Sequence, residues 1–164
     1  MIRLDARIAA QEPAGGRFVG WLRDAPAPLR FYVRSVRAWS AGPEAQAEVW
    51  SRFSTALGAR DGRFALRAFE TALLRLRAHG LRKLCGRPLT CARLCADEAT
   101  IAALLDASAG LRIPEAAALA QRLVKPEGVA PLVEAGMGLA PYADRLVTPA
   151  AAGPRAAMDR RMLH

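Results

Sequence analysis

The chain has little with which to cross a membrane, cross-link itself or run a recognisable catalytic motif. Its longest strongly apolar windows, such as Ile101–Leu105, fall far short of the roughly 20 residues a spanning helix needs. Arg3, Asp5 and Arg7 interrupt the N-terminal stretch where a secretory signal would be apolar. Both absences predict a cytoplasmic protein with no membrane association. There are three cysteines, an odd number that argues against a disulfide framework and fits a reducing compartment. Nucleophile elbow, phosphate loop, dinucleotide fingerprint and zinc-protease helix motif are all missing. Of two histidines, His164 is the last residue and His79 has no acidic neighbour in sequence. No catalytic residue is therefore assigned.

β-Branched residues are also sparse. Alanine, leucine and arginine dominate instead, and these lose little rotamer freedom in a helix. Hydrophobic residues make up 52% of the 164, enough to exclude a mainly disordered chain and to build one core. The expected fold is all-α: a single domain over 1–147, an irregular bundle of about six or seven helices. The weakly patterned residues 148–164 are expected to form a flexible C-terminal arm.

Helical spacing supports that expectation along most of the chain. Residues 1–12 and then Phe18, Trp21 and Leu22 fit short helices. Pro28 suits a helix start, followed by a stripe of Leu29, Tyr32, Val33, Val36 and Trp39, with Arg30, Arg34 and Arg37 on another face. Pro43 opens the next helix, whose stripe is Val49, Trp50, Phe53 and Leu57; Gly58 suits its C-terminal cap. Asp61 is placed to cap the longest helix, 62–79, with Phe64, Ala65, Ala68, Phe69, Ala72, Leu73 and Leu76 buried. Gly86 and Pro88 oppose a regular helix in the following segment. Further helices are expected up to Ser108, from Pro114 to Val124, and within 125–138. Nine of ten aromatics lie at or before Phe69, which puts the aromatic core in the N-terminal half.

Residues 79–98 hold what chemistry the sequence offers. His79, Cys85, Cys91 and Cys95 supply the four nitrogen and sulfur donors that zinc prefers, although no C-x2-C pair is present. The same cysteines suit a thiol sensor, since Arg87, Arg93 and a nearby helix start would favour a thiolate. They also suit small buried hydrophobes in a structural connector between two helices, which is the favoured reading of this stretch. Asp97 and Glu98 fall on different faces of the next helix, and capping is their expected role.

The segment resembles a set of small helical alphaproteobacterial proteins of unassigned function. In those, a basic His/Arg segment precedes a C-x-C pair and then ADE. Here His79, Arg82, Cys91, Asp97 and Glu98 match, while Arg93 stands in place of the second cysteine and Arg87 and Pro88 in place of further histidines. A metal site in that set would imply that Cys85 and Cys95 substitute for lost ligands here. The resemblance implies no activity.

Charge is the larger signal. The formal net charge is +9, from 24 basic and 15 acidic residues. Nine of the basic residues but only two acidic ones fall within 60–96. Such an excess is either a solvated helix face or a binding surface. Arg60, Arg63, Arg67, Arg75, Arg82, Lys83 and Arg87 are the candidate surface. The expected function is a non-enzymatic regulatory or adaptor protein that binds an acidic partner, nucleic acid or protein. The alternative is a metal-binding or thiol-based sensor centred on the cysteines, with zinc as cofactor. Exposed Trp or Leu on the short helices would allow a homodimer.

Overall fold

A computed structural model describes residues 14–148. The N-terminal helix expected over 1–12 and almost all of the C-terminal arm lie outside the described residues. Within them are seven α-helices: α1 (Ala27–Ser40), α2 (Pro43–Leu57), α3 (Ala59–His79), α4 (Ala96–Ala109), α5 (Ile113–Ala120), α6 (Pro126–Met137) and α7 (Ala143–Val147). The all-α irregular bundle follows from this set. Two short strands, β1 (Phe18–Trp21) and β2 (Arg93–Cys95), pair antiparallel beside it.

Prolines start α1, α2, α5 and α6, where the missing N–H leaves no bond unmade. Gly58 alone joins α2 to α3. Its φ of 83° closes α2, its N–H donates to the Ser54 carbonyl at 2.8 Å, and its own carbonyl accepts from Gly62 at 2.9 Å. Gly62 then lets α3 cross α2 closely: a Cβ there would meet the Ser54 backbone at 2.9 Å.

α3 packs between α2 and α6, and α4 packs against α1, α5 and α6. α4 is buried nearly all round, through Ile101, Ala102, Leu104, Leu105, Ala107 and Ala109, as expected of the central helix of a bundle. The aromatic half of the core runs from Phe31 to Phe53 to Phe69, with centroids 5.8 Å apart at each step, and Trp39 meets Phe69 edge-on. Such ring pairs add to the burial energy itself.

Several local expectations are corrected. Residues 18–21 are a strand, because Phe18, Gly20 and Trp21 find partners in 93–95, which restores backbone bonds a four-residue helix leaves open. α3 begins at Ala59 with Gly58 as its N-cap; Asp61 caps nothing and pairs instead with Arg145 on α7 at 2.8 Å. Phe64, assigned to the buried stripe, is 51% exposed, because it projects outside the face that Gly62, Ala65, Phe69, Ala72 and Leu76 turn to the core. α5 stops at Ala120, and Leu123 and Val124 are buried from the turn beyond it, where Val124 bridges to Gly80. Arg37, placed with Arg30 and Arg34 on a face apart from the apolar stripe, is buried.

Candidate functional site

The segment after α3 does not form a helix. It wraps from Gly80 to Cys95 around the N-terminus of α4, held there by Asp97 and Glu98. Successive helix residues point about 100° apart, so two adjacent carboxylates grip two different parts of the chain.

Asp97 takes the first part. Its Oδ1 and Oδ2 accept the two terminal nitrogens of Arg82 at 2.7 and 2.8 Å, and Oδ2 also accepts the Cys85 N–H at 2.8 Å. Gly15 lies so close that any Cβ there would run into the Asp97 carboxylate. Glu98 takes the second part. Arg37 of α1 donates from Nε to Oε1 and from Nη2 to Oε2, both at 2.8 Å. The Arg87 N–H reaches Oε1 at 2.7 Å and the Cys95 N–H reaches Oε2 at 3.2 Å, the latter as a capping box with Cys95 as N-cap. Arg37 also donates to the carbonyls of Cys91 and Arg93 at 2.6 Å each. The middle of the loop therefore has backbone bonds answered by charged side chains, at Cys85, Arg87 and Cys91, while its two ends pair with Val124 and with β1.

The electrostatics follow from this geometry. Burial alone would raise the Asp97 pKa. Hydrogen bonds from Arg82 and from the Cys85 N–H, with the Arg82 charge, outweigh it and hold the carboxyl below its usual range. Burial likewise opposes the charge on Glu98, and the bonds from Arg37, Arg87 N–H and Cys95 N–H override it, so its pKa is also lowered. Arg37 loses by burial and gains more from Glu98, so its pKa rises. Both carboxylates thus stay ionised at neutral pH with their oxygens occupied, an arrangement that positions chain rather than transfers protons.

An acid dependence follows. Carboxylates with depressed folded-state pKa values add stability that is complete above their unfolded values of about 4 and is lost as pH falls through the folded ones. Urea midpoints should be flat through neutrality and fall below about pH 4. The fall should be shallower in Asp97→Asn, which removes one of these titrations; an equal fall in the variant would contradict the linkage.

The four proposed zinc donors are not brought together. Among the described residues no group of three or more His, Cys, Asp or Glu side chains is placed to hold a metal. The His79 side chain packs against Gly128 of α6, and its carbonyl accepts from Lys125 at 2.9 Å. Cys95 is buried with its thiol 3.6 Å from the Cys85 carbonyl. Burial first, and the Glu98 charge with it, push that thiol up to about 12, the reverse of an activated thiolate. Cys85 and Cys91 are half-buried and free.

The seven proposed partner-binding residues divide. Arg82 and Arg87 are anchors: Arg82 is tied to Asp97, and Arg87 donates from its backbone to Glu98 and from Nη2 to the Gly16 carbonyl at 2.7 Å. Arg60, Arg63, Arg67 and Arg75, with Arg77, are exposed along the outer side of α3, and Lys83 is exposed just beyond it. Among the described residues no carboxylate pairs with any of these six. Glu70 is the one exposed carboxylate among the arginines on that side of α3, which also exposes Phe64 and Leu74. The capping role expected from sequence is met by Glu98, but Arg37, and the hold of Asp97 and Glu98 on the preceding segment, were missed. A buried arginine looks like its exposed neighbours in sequence, and the one signal was that Arg37 lies near the buried stripe of α1. Comparison with protein-family models, with curated proteins and with solved structures returns no match.

Proposed function

We propose that the protein binds a polyanionic partner, with nucleic acid as the first choice, through the outer face of α3. One observation carries this reading: α3 exposes five arginines, and among the described residues none of the five has a carboxylate partner, so unpaired cations that are scattered singly elsewhere are concentrated here on one helix. Unpaired guanidinium groups are available to phosphates and release counterions when they bind. Lys83, exposed in the clamped segment four residues after α3 ends, adds a further cation. With few polar side chains between the arginines to read base edges, binding is of low sequence specificity.

The test is a charge reversal that leaves the clamps alone. Arg60→Glu, Arg63→Glu and Arg67→Glu together should abolish retention of DNA or RNA in a low-salt gel shift while the far-UV spectrum and urea midpoint stay close to wild type. Arg82 is kept out of this variant, because a glutamate there would face Asp97. Wild-type protein that retains neither polymer at micromolar concentration would remove nucleic acid, and an acidic protein would then be sought by comparing captures with the two forms.

A further inference from the structure

The β1–β2 ribbon carries a second surface, made of rings rather than charge alone. Phe18 and Trp21 are three residues apart, so on a regular strand their side chains would leave opposite faces. The pairing shifts between Phe18 and Gly20: Phe18 stands opposite Cys95 and Gly20 opposite Leu94. That irregularity reverses the alternation, and the two rings meet edge-on at 5.3 Å on one face. Both are exposed, Phe18 by 37% and Trp21 by 45%. The Arg93 guanidinium lies over Phe18 at 4.8 Å and that of Arg23 over Trp21 at 5.8 Å. Arg17, just before Phe18 in the chain, is exposed and lines a cavity with Arg82, Asp97 and Arg122. Among the described residues Arg17 and Arg93 have no carboxylate partner, and Arg23 has only the exposed Asp24 at 3.6 Å.

We infer that this ribbon is a stacking platform for single-stranded nucleic acid. Unpaired bases would take the place of the Arg93 and Arg23 guanidinium groups on Phe18 and Trp21, and those two cations would swing off the rings to meet the adjoining phosphates. Rings interleaved with arginines suit a polymer that is both anionic and planar at each repeat. A duplex offers the same charge but keeps its base faces inside the stack. The inference rests on the nucleic-acid form of the reading above and names the polymer. It uses a different surface from α3, so the two fail separately.

The experiment is fluorescence anisotropy on the full chain, with a labelled oligothymidylate of about 16 nucleotides and a duplex of equal length. Phe18→Leu with Trp21→Leu keeps apolar bulk and removes both rings. Single-strand affinity should fall by about tenfold or more, with duplex affinity little changed. The α3 charge reversal should weaken both polymers alike. Trp21→Phe keeps a ring, so it should retain single-strand binding while losing the tryptophan quenching that the oligothymidylate produces in wild type. That arm holds even where the double variant fails to fold. No quenching in wild type, or equal losses for single strand and duplex, would overturn the proposal. With labelled polyglutamate as a third probe, a double variant that loses polyglutamate binding and keeps oligothymidylate binding would overturn it in favour of an acidic protein.

Discussion

Replacing Glu98 with Gln should cost about 3–5 kcal/mol of folding stability. The substitution keeps the shape of the side chain, so the effect is electrostatic and not a cavity. Arg37 and Glu98 have side chains only 2% exposed each, so neither charge is screened by water. Glutamine leaves the Arg37 guanidinium buried without a counter-charge. It also turns one acceptor into a donor, aimed at a site where Glu98 takes two guanidinium bonds and the N–H groups of Arg87 and Cys95. The readout is the urea midpoint at unchanged m-value. Glu127→Gln, exposed on α6, serves as the comparison and should stay within about 0.5 kcal/mol of wild type. Arg37→Met with Glu98→Leu should lose less than Glu98→Gln alone, because removing both charges leaves none stranded. A Glu98→Gln variant within about 1 kcal/mol of wild type would mean the segment 80–95 is held by something else.

The buried pair also explains what the sequence made legible. Five of the seven helices are readable because each buries one stripe at helical spacing or has a proline at its start, as α1, α2 and α3 do with Val33, Phe53 and Phe69, and α4, buried nearly all round, is readable from its unbroken run of Ala and Leu. The seventh, α7, buries only Leu146 and has too short a period to register. The strand at Phe18–Trp21 was not legible, because its bonding partner lies more than 70 residues later and local spacing says nothing about that pairing. The 79–98 segment was legible as a break in the helices, through Gly86 and Pro88, but not as a clamp. Cysteine and histidine there draw attention to ligand chemistry, while the residues that organise it are Asp97, Glu98, Arg82 and a distant Arg37. Charge density identified the α3 face and also swept in Arg82 and Arg87, because composition cannot separate a paired arginine from an unpaired one.

Nucleic-acid binding should be steeply salt-dependent, and this dependence counts the contacts. Arg60, Arg63, Arg67, Arg75 and Arg77 are exposed on one helix. If each neutralises one phosphate of a duplex, the slope of log affinity against log salt is about −4.5, and raising salt from about 50 to about 200 mM costs about 500-fold. Charge reversal at Arg60, Arg63 and Arg67 removes three of those five contacts and should bring the slope to about −2 or shallower, besides weakening binding at every salt concentration. Variants at Cys85, Cys91 or Cys95 should leave the slope unchanged, since no thiol is on that face. The most direct measurement is therefore the salt titration of duplex affinity for wild type beside Arg60→Glu/Arg63→Glu/Arg67→Glu. The account predicts a steep slope that flattens by about 2.7 in the variant. Equal slopes in the two proteins, or no duplex binding by wild type at about 50 mM salt, would contradict it.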